Sequence, residues 1–211
     1  MRFFSITCAA LLMSSSAFAQ AYKPVCVPTH LLPPANYPGA EAIPPGNNLV
    51  MPAGKSIEAE GQKLILTGRV LDNHCMPIKD ATIEIWQANP FGRYVLATRA
   101  DLMTPAPTFA GAGRGYTSNM GEFIFTTLFP SGVEKRAPFI GVRVKAHDMK
   151  PFTTQIFFAN DGRNTTDPVY AKLKGDAART VTISMRPLSG VNGYIGTIDI
   201  VLPEKAKYVS Y

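Results

Sequence analysis

The chain has 211 residues, 46% of them hydrophobic and only 17% charged. That length suits one main domain, which can bury a core without a framework of many disulfides. Its 21 Lys and Arg against 15 Asp and Glu leave a net charge of +6, but no basic run stands out, which argues against a nucleic-acid-binding function.

The chain opens MRFFSITCAALLMSSSAFAQ. Arg2 precedes an apolar run, and Ala17-Phe18-Ala19 is a small-x-small cleavage site, so residues 1–19 are predicted to be a signal peptide. The run is too short and too serine-rich for a membrane span of roughly 20 residues. No other segment suits a span, so the expected location is periplasmic or secreted. Cys8 leaves with the leader, and Cys26 and Cys75 remain. In an oxidising compartment they read as one disulfide tying an N-terminal arm to the first strand region. Two buried free thiols are the alternative.

Residues 20–60 form a Pro-, Gly- and Asn-rich segment that propagates neither helix nor sheet. Leu31, Tyr37, Ile43 and Leu49 punctuate it, which predicts an irregular arm docked on the domain formed by residues 61–211. From Gln62 onward the pattern is β. Lys63–Leu71 is an extended apolar run, and in Ala81–Gln87 the alternation places Ile83 and Ile85 on one face and Thr82, Glu84 and Trp86 on the other. Further strands are expected at Arg93–Thr98, Glu122–Thr127, Phe139–Ala146, Thr153–Ala159, Thr180–Met185 and Ile195–Leu202, separated by Gly, Pro and Asn turns. One short helix is expected over Pro168–Gly175, with Asp167 as N-cap and Gly175 as its stop. The fold class is therefore all-β, a β-sandwich with an irregular arm and one short helix.

Several blocks in order carry a family resemblance. They are GRVLDNHCMPIKDATIEIWQANPFGRY at Gly68–Tyr94, the glycine-rich TPAPTFAGAGRGYTSNMGEFIFTT, TTQIFF at Thr153–Phe158, and GYIGTIDIVL at Gly193–Leu202. Together they resemble the intradiol ring-cleavage dioxygenases, the family of protocatechuate and catechol dioxygenases. The resemblance implies a β-sandwich with a ferric ion at one side, held by two tyrosines and two histidines. Tyr94 matches the first ligand tyrosine. Arg136 matches the arginine beside the substrate, and Gln155 a polar residue of the same pocket.

The ligand region departs from that pattern. The family has Pro-Gly-x-Tyr-Pro and then Arg-Pro-Ala-His-Ile-His-Phe; this chain reads LFPSGVEKRAPFIGVRVKA. Aligning Arg136 on the family arginine puts Phe139 and Gly141 at the histidine positions, and no tyrosine lies between Pro130 and Arg136. Ferric ion is a hard cation that tyrosinates and imidazoles hold together. A lone phenol, with a reference pKa of about 10, stays protonated without such a partner. His30, His74 and His147 show no paired metal-ligand spacing.

The expectation is thus an exported dioxygenase-like protein, leaning towards no catalysis, with no metal and no cofactor. Tyr94, Arg136 and Gln155 would be the remnant of a pocket for a small aromatic acid or catechol. Two alternatives stand beside it: an active dioxygenase with a rearranged Fe3+ site, and a structural or partner-binding envelope module. For Arg136 a surface pairing with an acidic neighbour such as Glu134 is the plain alternative, and for Tyr94 a core position at a strand start. Asn164-Thr-Thr166 matches a glycosylation acceptor, though the leader does not establish a glycosylating host.

Overall fold

Period-two alternation builds both sheets. In β5 (Phe139–Lys145), Ile140, Val142 and Val144 turn into the main core, while Phe139, Gly141, Arg143 and Lys145 take the opposite face. The same rule sends Ile83 and Ile85 of β2 (Thr82–Trp86) inward, and Leu64, Leu66 and Val70 of β1 (Lys63–Leu71). The computed structural model describes residues 26–95, 108–147 and 149–203. Its other elements are β3 (Ala112–Tyr116), β4 (Glu122–Leu128), β6 (Phe152–Phe158), the one-turn helix α1 (Asp176–Arg179), β7 (Thr182–Ile183), β8 (Met185–Pro187) and β9 (Gly193–Val201).

The strands form two sheets, β4-β1-β9-β8 and β3-β2-β5-β6-β7. Pairing is antiparallel except for β1 with β9 and β6 with β7. Aliphatic and phenylalanine side chains of both sheets meet in one core, which makes the expected β-sandwich. Each fully buried Leu, Ile or Phe there contributes about 1.5–3 kcal/mol by leaving water.

The arm docks on the outer face of the five-stranded sheet and then closes both sheet edges. Leu32 N donates to Thr153 O at 3.1 Å, and Thr153 Oγ1 donates to Leu32 O at 2.8 Å. Further on, Gly46 bridges Arg114 on the β3 edge, and Leu49 N donates to Thr126 O on the β4 edge. Covering these edges removes two templates for unwanted strand pairing. Ile43 and Leu49 are buried as expected, but Leu31 is 62% exposed and Leu32 is buried in its place. The backbone pairing with Thr153 turns Leu32 towards Phe139, Phe157 and Val181. Cys26 and Cys75 form a disulfide with their Cα atoms 5.3 Å apart, anchoring the start of the arm.

Four local expectations need correction. β3 lies in a glycine-rich stretch with little strand propensity. Its Gly113 is there because the arm passes so close that a Cβ would stand 2.5 Å from Gly46 O. The single strand expected over Thr180–Met185 is two: β7 pairs with β6 in one sheet and β8 with β9 in the other, so the chain changes sheets at Ser184. The helix expected over Pro168–Gly175 is a 3-10 turn at Tyr170–Lys172. Leu173 then leaves it with an extended backbone, and α1 begins after Gly175 rather than ending there. Leu173 packs against the cluster of Phe139, Phe157 and Val181, and that burial overrides helix continuation. Arg93, Tyr94 and Val95 lie in turn and irregular structure; the rest of the strand expected there, 96–98, lies outside the described residues.

Candidate functional site

The outer face of the five-stranded sheet is a lattice of cross-strand rows. Opposed residues of antiparallel strands share a face, with Cβ atoms about 4.5–5.5 Å apart. One row is Ala112, Trp86, Gly141 and Gln155; the next is Arg114, Glu84, Arg143 and Thr153. Gly141 and Gln155, assigned to the site from sequence, are therefore direct neighbours. Phe139 begins the same strand two residues earlier.

Tyr94 reaches this face from a tight turn. Asn89 Oδ1 accepts from the backbone N–H of Phe91 and Arg93 at 2.9 and 3.0 Å, and Gly92 takes φ 75°. The turn sets Tyr94 beside Trp86, Ile43, Ala112 and Tyr37. A cavity of about 330 Å³ opens there, lined by Asn36, Tyr37, Pro38, Trp86, Gln87, Tyr94, Val95 and Gly111. Asn36, in a left-handed conformation that Asn tolerates, hydrogen-bonds the phenol. Burial pushes the Tyr94 phenol above its ordinary value; the Asn36 hydrogen bond and the Arg136 charge pull it down and do not win.

Arg136 stands outside the cavity lining and is held by three groups. Its Nε donates to Asp167 Oδ2 at 2.8 Å, an Nη donates to Gln155 Oε1, and its guanidinium lies 4.3 Å from the Phe139 ring centroid. Glu134, the surface partner considered from sequence, is not this carboxylate. Gln155 is fully buried, and its Nε2 donates to Pro33 O at 2.7 Å. Arg136 and Gln155 thus form a frame beside Tyr94 that fixes the arm.

Asp167 is the residue that sequence reasoning undervalued. It is fully buried; Oδ1 accepts from Val169 N and Tyr170 N, and Oδ2 from Arg136 Nε and Ala137 N. Burial pushes its carboxyl up, but those hydrogen bonds outweigh burial and hold it below the usual range. The only sequence signal was its place before Pro168, which reads as a cap; its pairing 31 residues back was not visible.

Phe139 and Gly141 are closed positions. The Phe139 ring is buried against Leu32, Phe157 and Val181 beneath the Arg136 guanidinium. Over Gly141 lies the indole of Trp86, so a Cβ there would stand 2.2 Å from Trp86 Cε2. Trp86 Nε1 donates to Ala35 O at 2.8 Å, and its ring meets Tyr37 edge-on at 4.9 Å. His30, His74 and His147 are all exposed. Asn164 of the glycosylation match is buried and donates Nδ2 to Phe158 O.

The family model described as "Dioxygenase" matches residues 45–202. The chain belongs to the intradiol ring-cleavage dioxygenase family. It is 39% identical over 93 residues to the protocatechuate 3,4-dioxygenase beta chain of Burkholderia cepacia, a match covering 44% of this chain and 40% of that one. A Rickettsia bellii protein named as a dioxygenase is 32% identical over 123 residues, covering 55% and 59%. The chain spans about half the length of these relatives. Among solved structures, the dioxygenase domain of a dioxygenase–carbohydrate-binding fusion from Streptomyces sp. SirexAA-E superposes with TM-score 0.66 at 26% identity, covering 84% of this chain and 99% of that one. The intradiol dioxygenase of Tetranychus urticae matches in fold with TM-score 0.65 at 20% identity, covering 87% and 98%. No helix among the described residues is long and apolar enough to cross a membrane.

Proposed function

We propose that this protein is an exported, iron-free member of the dioxygenase family that binds a small aromatic acid or catechol in the Tyr94 cavity. The observation that carries the reading is the indole of Trp86 lying over Gly141. A ferric centre of the family type draws imidazoles from the positions of Phe139 and Gly141. One of these is a buried phenyl ring and the other has no side chain and no room for one. Tyr94 is the one phenol at a family ligand position; Tyr37 is the other phenol of the cavity, and burial favours the protonated form of both. Among the described residues no three His, Cys, Asp or Glu side chains converge. The residues present do not fit the family's iron.

Binding follows from what lines the cavity. Tyr37, Trp86 and Tyr94 offer aromatic surface to a ring, and such pairs are worth about 0.5–1.5 kcal/mol beyond area burial. The cavity volume lies at the small end of ligand sites, which run to about 300–1,000 Å³. The Tyr94 hydroxyl supplies a polar end within the field of Arg136, which favours a carboxylate or catechol oxygen on the ligand.

The test is metal content and visible spectrum of the mature protein produced with iron supplied, followed by titration with 3,4-dihydroxybenzoate read on Trp86, the chain's sole tryptophan. A colourless protein whose Trp86 emission changes saturably is the expected result. Stoichiometric iron with a tyrosinate-to-iron band would restore the catalytic reading. No iron and no saturable change would leave the envelope-module reading.

A further inference from the structure

We propose a second binding site on the same sheet face: the cluster around Glu84 holds a phosphate or sulfate group in the cavity between Arg114 and Lys145. Glu84 is fully buried and is met by three cations. Its Oε1 accepts from Arg114 Nε at 3.1 Å and Lys145 Nζ at 3.3 Å; its Oε2 accepts from Arg143 Nη1 at 3.1 Å and the Tyr37 hydroxyl at 3.0 Å. The register makes this unavoidable. Arg114 and Arg143 are the cross-strand partners of Glu84, and Lys145 lies two residues along the same face of β5.

One carboxylate does not balance three cations held this closely. Like charges brought together at partly buried positions repel, and an anion among them relieves that repulsion. A cavity of about 340 Å³ opens at this point, lined by Arg114, Lys145, Thr82 and Tyr116 and completed by Ala40 and Glu41. Glu41 is exposed, so solvent screens it, as it partly screens Lys145; across the whole cluster, with Arg143 standing behind the cavity and not in its lining, three cations face two carboxylates. Donor capacity also exceeds what Glu84 takes. Arg114 gives Nε to Glu84 and an Nη to Ala40 O, and Lys145 gives one N–H to Glu84. A guanidinium carries five N–H groups and an ammonium three. A tetrahedral oxyanion with several acceptor oxygens matches that set, with the Thr82 and Tyr116 hydroxyls beside it. This site is separate from the Tyr94 cavity, and the proposal does not rest on aromatic binding there. The two are bridged by Tyr37, whose hydroxyl accepts from Arg143 at 2.8 Å while its ring abuts Trp86.

The experiment titrates the full mature protein with inorganic phosphate, and in parallel with methyl phosphate, against chloride at matched ionic strength. It is read by calorimetry and by Trp86 emission. Saturable heat with phosphate but not chloride is expected, weakened about tenfold in Lys145→Met and retained in Lys145→Arg. Tighter binding of methyl phosphate would place the oxyanion on a larger molecule; tighter binding of inorganic phosphate would place it as a free ion. Thr82→Val, which removes a hydroxyl without removing charge, gives a second, milder weakening should Lys145→Met fail to fold. Phosphate behaving like chloride would overturn the proposal, as would undiminished phosphate binding in folded Lys145→Met. Neither result bears on titration with dihydroxybenzoate, so the two readings fail separately.

Discussion

Trp86 and Gly141 are cross-strand partners, and the indole of the first occupies the space that a side chain on the second would need. A Cβ on Gly141 would stand 2.2, 2.5 and 2.6 Å from Trp86 Cε2, Cζ2 and Nε1. The largest side chain of this face thus fills the space beside a residue that has none. The hydrogen bond from Trp86 to Ala35 O then fastens the arm over both.

Gly141→His is therefore destabilising. Overpacking of a closed site costs about 1–3 kcal/mol, and the midpoint of urea unfolding should fall accordingly. The double variant Phe139→His with Gly141→His should bind no stoichiometric iron. A stable double variant with a tyrosinate-to-iron absorption band would show that the indole yields.

Asp167→Ala should be the most damaging single change near the site. Removing one partner of a buried pair leaves the other charge uncompensated, at a loss of about 3–5 kcal/mol. Arg136 has a side chain 17% exposed and Asp167 none. Asp176→Ala, which breaks the exposed pair with Arg179, should lie within about 0.5 kcal/mol of wild type. Equal effects of the two substitutions in chemical denaturation would refute the ranking.

Acid should unfold the protein through its buried carboxylates. Burial raises Glu84, but hydrogen bonds from Arg143, Tyr37 and Lys145 outweigh it and hold the group low; Asp167 is held low in the same way. A depressed carboxyl stabilises the fold above its unfolded pKa, and that contribution is lost as pH falls through the folded value. The thermal midpoint should therefore be steady near neutrality and drop as pH falls below about 4. Asp167→Asn should flatten that acid limb.

The disulfide closes 49 residues. Chain entropy assigns such a loop about 4 kcal/mol. Reduction, or Cys26→Ala with Cys75→Ala, should lower the thermal midpoint and free the start of the arm to proteolysis. An unchanged midpoint would show that strand pairing alone holds residues 26–32.

Tyr94→Ala should weaken 3,4-dihydroxybenzoate binding about threefold to tenfold by removing one stacking face. Arg136→Ala should weaken it through lost field and loosened arm. If neither substitution moves the Trp86 titration, the aromatic site lies elsewhere.

Much of the fold was legible because its causes are local. β1 was read at Lys63–Leu71 and the faces of β2 were assigned correctly, since alternation is a property of neighbouring residues. β3 was not read as a strand because Ala112–Tyr116 owes its conformation to pairing with β2 and to the passing arm. Leu31 and Leu32 are equally apolar, and only the pairing of Leu32 with Thr153 chose between them.

By itself, the amino-acid sequence determined the family, the sandwich and the absence of histidines at positions 139 and 141, and left Cys26 and Cys75 as either a disulfide or two thiols, which the structure resolves as the disulfide. What fills those positions was decided only in three dimensions. Trp86 meets Gly141 across 55 residues of chain, Arg136 finds Asp167 across 31, and Glu84 gathers cations from 30, 59 and 61 residues away. Such partners are set by strand register and by the arm's path. Side-chain packing and charge pairing act through space, and no local pattern along the chain encodes which distant group will stand opposite.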